Sequence, residues 1–150
     1  MRCALSRPTS ELLTRVVVDT IEKMAFLFAL SQQENVSGAA TEPLETVEVG
    51  FCGPCSGRIR FGLSVSVMRE LAGNMLGVED SATLSIEEQH DALKEIANVV
   101  CGNLLPAIGG QEAEFSIGSP QIIGAEQPPL SAAVVESQLI IEGGICHAAI

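Results

Sequence analysis

One stretch of the chain places carboxylates, an amide and a glycine at helical spacing. On a helix of about 100° per residue, Asp91, Glu95, Asn98 and Gly102 fall within a stripe roughly 60° wide. We call these four residues the seam. Apolar side chains cover most of the remaining circumference, so the seam is the one side of this helix predicted to face solvent.

Asn and Gly are poor choices inside a helix, costing about 0.5–1 kcal/mol each relative to Ala. Placing both in the single exposed row is a local inconsistency typical of a functional site. We expect Gly102 to let the backbone of a partner approach closely, and Glu95 and Asn98 to point into that partner. The alternative interpretation is a solvated polar row on an ordinary core helix.

A second pattern, Cys52-Gly-Pro-Cys55, matches the motif of thiol–disulfide oxidoreductases. That chemistry needs the first cysteine at a helix N-terminus, where the helix dipole lowers the pKa of the thiol. Ser56-Gly57 and an alternating strand follow instead, so the pattern favours a turn that happens to carry thiols. Reversible disulfide formation, or zinc binding by dimer-related pairs, stays open. His90, Cys101, Cys146 and His147 lack partners at metal-ligand spacing and are predicted to be structural or surface residues.

Composition excludes several classes of function. The 150 residues, 47% of them hydrophobic, suit a single domain spanning residues 1–150. Eight Lys and Arg against nineteen Asp and Glu give a net charge of −11, which repels nucleic acids and anionic membrane surfaces. Five cysteines without a secretory signal or a long apolar run predict a reducing, cytoplasmic location with free thiols.

Hydrophobic periodicity and capping signals predict three helices, over residues 10–32, 66–76 and 85–105. Ser10 is the expected N-cap of the first helix, and Gly77 the expected end of the second. Ser85 and Glu88 form a capping-box pattern at the start of the third, which carries the seam. Pro106 is predicted to end that helix, with Gly109-Gly110 beyond it.

Strands are predicted over residues 47–51, 58–65, 115–118, 121–124, 130–136 and 138–145. The first two form a hairpin around the turn at residues 52–57, and the last two a second hairpin. Glu48 is placed to pair across the first hairpin with Arg58 and Arg60, and residues 33–44 form a loop. Because helices and strands are segregated, we predict an α+β fold, an antiparallel sheet with two long helices and one short helix packed on it.

The segment Glu95-Ile-Ala-Asn98, with Gly102-Asn103 after it, resembles the E-x-x-N signature of the CheC/CheX/FliY family of chemotaxis phosphatases. The similarity extends in order and spacing from about residue 10 to 145. It includes Phe51-x-Gly53 with Gly57-Arg-Ile-Arg-Phe, the short helix Met68–Gly77, and Asp91-Ala-Leu-Lys. The first helix offers Glu22 with Ala25 where a second motif would have Asn, so a single-motif, CheX-like protein is the closer match.

This resemblance implies a phosphatase acting on the aspartyl phosphate of a CheY-like response regulator. Asn98 would orient the attacking water and Glu95 would form a salt bridge to a lysine of the receiver, with Asp91 and Gly102 contacting the partner. The receiver would supply Mg²⁺, so no cofactor or metal of the chain's own is expected. The resemblance also implies a homodimer joined through sheet edges.

Two other functions stay open at this stage. The first is a non-catalytic adaptor that binds a receiver domain or another signalling protein through the seam. The second is thiol–disulfide exchange at Cys52 and Cys55.

Overall fold

The described strands form one seven-stranded sheet in this computed structural model, which describes residues 9–27, 29–31, 44–110, 112–123, 135–141 and 144–150. The strands are β1 Ala29–Ser31, β2 Leu44–Cys52, β3 Gly57–Ser64, β4 Ser116–Ile117, β5 Gln121–Ile123, β6 Glu136–Ile141 and β7 Gly144–Ala149. The helices are α1 Ser10–Ala25, α2 Val65–Leu76 and α3 Ile86–Gly109, and a 3-10 turn lies at Ser81–Thr83.

The sheet order is β1-β6-β7-β3-β2-β4, and β5 pairs with β2 beside β4. Every strand pair in the described chain is antiparallel. Helices α1 and α3 pack against each other and against the sheet, and α2 packs on both of them. The predicted α+β architecture, with two longer helices and one shorter helix on an antiparallel sheet, is confirmed.

Strands β2 and β3 form the predicted hairpin. Val47, Val49 and Phe51 alternate into the core, which leaves Glu48 on the other face of the sheet. The Glu48 carboxylate accepts from Arg60 Nε at 2.7 Å and from Arg58 Nη1 at 3.3 Å. The predicted cross-strand ion pairs are therefore present.

Helix α1 is shorter than its pattern predicted. Thr9, not Ser10, is the N-cap, because its side-chain oxygen accepts from the backbone N–H of Leu12 at 3.1 Å. The helix ends at Ala25, where Phe26 adopts a left-handed conformation with φ 55°. The prediction that the helix reaches Gln32 is wrong, because apolar residues after Phe26 continue into the short edge strand β1.

Helix α3 begins as predicted and ends later. The Ser85 side chain accepts from the Glu88 N–H, and the Glu88 carboxylate accepts from the Ser85 N–H, each at 3.1 Å. Pro106 lies inside the helix, which runs on to Gly109. Burial of Ile108 explains the continuation, because the core contact outweighs the one backbone hydrogen bond that proline removes.

The C-terminal hairpin exists but is displaced along the sequence. Residues predicted as the turn, around Ser137, lie inside β6, and the two strands are joined at residues 142–143, which fall outside the described residues. Ser137 is buried and shares a hydrogen bond with the Thr14 hydroxyl, so a polar residue marks a helix contact rather than a turn. The predictions for residues 130–134 and for most of the loop at 33–44 also lie outside the described residues.

Candidate functional site

The seam is one continuous row of exposed and half-buried residues on α3. Its opposite side is fully buried by apolar side chains: Leu93, Ile96, Val100, Cys101 and Leu104. Asp91, Glu95 and Gly102 are exposed and Asn98 is half-buried. Because α3 is unbroken through these positions, the predicted geometry of the seam is confirmed.

The side chains of Glu95 and Asn98 have no polar partner in the described chain. Neither forms a side-chain hydrogen bond or an ion pair among the described residues. Asn98 follows Glu95 by three residues, about 4.5 Å along the helix axis. A carboxylate acceptor and an amide that both donates and accepts are thus presented side by side to whatever covers this face.

Gly102 lies one turn beyond Asn98 and borders open space. Apart from its own chain neighbours and the nearby helix backbone, a Cβ built at Gly102 would have no atom of the described chain within 4 Å. Pro106, four residues further on, has no N–H to donate to the Gly102 carbonyl. At this point the helix presents a bare backbone with a carbonyl oxygen that lacks its usual helical donor.

A groove of about 630 Å³ opens where the seam ends. It is lined on one side by Gly102, Leu105 and Pro106 of α3. Its other lining comes from the turn after β2 and from β4, and includes Cys52, Gly53, Phe115 and Ile117. Sequence reasoning missed this groove, because it joins segments that are distant in the chain; the only local signal was Pro106 four residues after Gly102.

Helix α1 has no equivalent pair. Glu22 is half-buried, and Ala25, at the position where a second motif would have Asn, is fully buried. The backbone carbonyl of Ala25 accepts a hydrogen bond from Asn74 Nδ2 at 2.7 Å, which closes this end of α1 against α2. The seam on α3 is accordingly the only Glu-x-x-Asn arrangement on the helices of the described chain.

The cysteines do not form the redox pair that their spacing suggested. Cys52 is an exposed free thiol, so Cys52 and Cys55 are not joined to each other. Cys55 is buried and disulfide-bonded, so the expectation of free thiols is wrong for this residue; Cys3 lies outside the described residues. A turn follows Cys52 instead of a helix, and thiol–disulfide exchange at this pair loses its structural support.

The other two cysteines of the described chain, Cys101 and Cys146, are free and buried. Burial raises the pKa of the Cys101 thiol from 9.0 to about 11. Burial also raises the pKa of Cys146. Both are neutral core side chains at physiological pH, in keeping with their predicted structural role.

The histidines face single carboxylates. His90 Nε2 lies 3.3 Å from Glu45 Oε2, and His147 Nε2 lies 3.8 Å from Glu136 Oε2. No group of three or more potential metal ligands occurs among the described residues. In the same part of the chain, no helix has the length and apolar character needed to cross a membrane.

Several solved structures with a similar fold are described as chemotaxis proteins. CheX from Desulfovibrio desulfuricans aligns with a TM-score of 0.71 and 18% identity, covering 93% of this chain and 95% of that one. CheX from Vibrio vulnificus aligns with a TM-score of 0.72 and 17% identity, covering 93% of this chain and 92% of that one. CheX from Borrelia burgdorferi was solved in a complex with CheY, BeF3 and Mg²⁺. It aligns with a TM-score of 0.62 and 18% identity, covering 93% of this chain and 94% of that one.

These likenesses define the class as the CheX/CheC-like α+β fold. The sequence itself is more specific, because residues 46–142 match the family described as chemotaxis phosphatase CheX. The chain belongs to the CheX family. No curated protein matches the sequence.

Proposed function

We propose that this protein is a phosphatase for the aspartyl phosphate of a CheY-like receiver domain, with Glu95 and Asn98 as its site. The observation that carries the proposal is the seam, where a carboxylate and an amide project together from a buried helix and have no partner in the described chain. Membership of a family described as chemotaxis phosphatases supports the reaction class.

Asn98 is the residue assigned to the chemical step. In hydrolysis of an aspartyl phosphate, a water oxygen forms a bond to phosphorus while the bond from phosphorus to the aspartate oxygen breaks. The aspartate leaves as a carboxylate, and the proton of the water goes to phosphate. An amide that accepts from the water and donates to a phosphoryl oxygen holds the water in line, and loss of such positioning costs about 10²–10³ in rate. In this scheme the Mg²⁺, Lys and Thr around the phosphoryl group belong to the receiver.

Glu95 is the residue assigned to docking. The exposed face of α3 is acidic toward its N-terminus, where Glu87, Glu88 and Asp91 are also exposed. A negative surface of this kind favours a partner that presents a lysine beside its active site. The solved CheX–CheY complex from Borrelia burgdorferi supports a CheY-like receiver as the class of partner.

A dephosphorylation assay tests the assignment of Asn98. The purified protein is mixed with Mg²⁺ and a phosphorylated CheY-family receiver, and loss of phosphoryl label is followed. We expect Asn98→Ala to lower the rate by about 100-fold or more. Asn103→Ala is the matched control, because Asn103 is exposed on the same helix but lies off the seam. Hydrolysis by Asn98→Ala as fast as by the parent would refute the assignment.

Charge reversal separates docking from chemistry. We expect Glu95→Lys to weaken binding of an activated receiver. Glu70→Lys, the same change at an exposed position of α2, should leave binding intact. Because Glu95 makes no ion pair in the described chain, neither change should lower the free energy of unfolding by more than about 0.5 kcal/mol. Equal binding by both variants would remove Glu95 from the interface.

A non-catalytic adaptor that uses the same seam is the second candidate. It predicts receiver binding that Glu95→Lys disrupts, while the phosphoryl lifetime is the same with and without the protein. The family resemblance further suggests a homodimer joined through sheet edges, and light scattering of the purified protein measures that oligomeric state. A cytoplasmic location is the expectation from the sequence, and fractionation of cells that express the protein tests it.

A further inference from the structure

The groove at the end of the seam has features of a preformed binding surface. Ile117 is 41% exposed on β4, although it is a large apolar side chain. Pro106 and Phe115, both half-buried, supply apolar surface beside it, and Glu114 is the only charged residue in the lining. The exposed surface along α3 therefore changes from acidic at Glu87–Glu95 to uncharged beyond Gly102, where it meets the apolar surface of Pro106, Phe115 and Ile117.

The walls of the groove are fixed by packing. Phe115 meets Phe51 edge to face, with ring centroids 6.1 Å apart. Two glycines make room for Phe115, because a Cβ at Gly109 would come within 2.6 Å of its ring and a Cβ at Gly53 within 2.9 Å of its Cδ1 atom. Ile117 is held by its pairing with Phe51. A surface that is already ordered loses little conformational entropy on binding.

The groove is also continuous with the seam. Gly102 belongs to both, and Leu105 follows Asn98 by seven residues, about 10 Å along the helix axis. A stable interface buries about 800 Å² on each partner, a patch roughly 16 Å in radius. A receiver centred on Glu95 and Asn98 therefore covers the groove as well.

We propose that this groove is the apolar half of the receiver-binding surface, and that it takes an apolar side chain from the receiver surface next to the phosphorylated aspartate. This inference rests on the proposed function. Ile117 is its main affinity-determining residue, and the carbonyl of Gly102, which Pro106 leaves without its helical donor, is an acceptor at the lip of the groove. The division follows the usual anatomy of interfaces, in which an apolar region provides affinity and charges provide specificity.

The test compares kinetic constants of Ile117→Ser with those of the parent on a phosphorylated CheY-family receiver. We expect KM to rise about tenfold, the loss that burial of one large apolar side chain accounts for, with kcat unchanged. Binding of the receiver activated with beryllofluoride and Mg²⁺ should weaken by the same factor. Ile86→Ser is the control: Ile86 is 53% exposed, but it lies 16 residues before Gly102 on the opposite side of α3.

The outcomes distinguish this inference from the proposed function. An inactive parent protein would refute the proposed function and, with it, the inference. An active parent, with Ile117→Ser indistinguishable in KM and in receiver binding, would refute the groove while leaving Asn98 assigned. If Ile117→Ser instead lowers the mass measured by light scattering and leaves KM unchanged, the groove is an interface with a second copy of this chain, and the inference is overturned.

Discussion

Gly102 follows Asn98 by one turn of α3, and apart from the adjoining helix backbone no atom of the described chain lies within 4 Å of the position that a Cβ at residue 102 would occupy. Packing within the described part of the chain therefore does not require glycine at this position. Glycine costs the helix up to about 1 kcal/mol relative to alanine. A glycine that lowers helix stability without being required by packing is typical of a site where another molecule approaches the backbone.

Substitution of Gly102 should separate stability from function. We expect Gly102→Ala and Gly102→Leu to raise the free energy of unfolding by up to about 1 kcal/mol, because both residues favour a helix more than glycine does. Gly102→Leu should at the same time weaken binding of an activated receiver, since its side chain occupies the contact surface. Urea unfolding and receiver binding measure the two effects. Loss of stability in Gly102→Leu, or full receiver binding by it, would contradict this account.

The parts of the fold that were predictable are those in which local signals agree. The capping box of Ser85 and Glu88 predicts the start of α3, and Gly77 predicts the end of α2. The apolar periodicity predicts which face of α3 is buried. The seam followed from these signals alone. Its chemical assignment needed the family resemblance, because an exposed Glu and Asn at helical spacing also occur on ordinary surfaces.

The errors in the prediction have a common cause in tertiary contacts. A proline normally ends a helix, but α3 continues past Pro106 to Gly109 because Ile108 is buried in the core. Ser137 is polar, but its hydroxyl meets Thr14 inside the fold, so β6 continues where a turn was expected. The groove could not be predicted from local signals, because Gly102 on α3 and Ile117 on β4 become neighbours only in the folded protein, where β4 pairs with β2 and contacts α3.

Thiol labelling should distinguish Cys52 from the core cysteines. Cys52 is exposed and free, whereas Cys101 and Cys146 are 0% and 1% exposed. At pH 8, we expect a disulfide reagent to modify Cys52 at least roughly 100-fold faster than either buried thiol, which must wait for opening of the structure. Peptide mass spectrometry assigns the labelled cysteines, and all three of these free thiols should react once guanidinium has unfolded the protein. Fast labelling of Cys101 in the folded protein would show that the packing of α3 described here is wrong.

Alkaline pH should destabilise the protein through the same buried thiols. The pKa of Cys101 is raised from 9.0 to about 11, so between these values the unfolded chain releases a proton that the folded chain keeps. The contribution of the protonated Cys101 thiol to the free energy of unfolding is therefore complete below pH 9 and is lost as the pH rises. From this residue alone, the free energy of unfolding falls by about 2–3 kcal/mol at pH 11. The raised pKa of Cys146 acts in the same direction.

Urea unfolding under reducing conditions between pH 7.5 and roughly 10.5 measures this dependence. We expect Cys101→Ala to be less stable than the parent at neutral pH, because it leaves a small cavity. Its stability should nevertheless fall less steeply with pH than that of the parent. Parallel curves for parent and variant would mean that Cys101 does not stay protonated in the folded protein.

The end of α1 offers a test of backbone strain. Phe26 has φ 55° and its side chain is 70% exposed, so it combines a left-handed conformation with little burial. A residue with a Cβ pays about 1 kcal/mol in this conformation, which glycine does not. We expect Phe26→Gly to raise the free energy of unfolding by up to about 1 kcal/mol, less the entropy that glycine adds to the unfolded chain.

Phe26→Ala is the control that isolates the backbone. It removes the same ring but keeps the Cβ, so it should be no more stable than the parent, and the difference between the glycine and alanine variants measures the strain. The Asn74 side chain, which donates to the Ala25 carbonyl at 2.7 Å, holds this end of α1 in place. Asn74→Ala should therefore cost about 1 kcal/mol. If Phe26→Gly and Phe26→Ala unfold at the same urea concentration, the left-handed conformation carries no strain, and another contact determines where α1 ends.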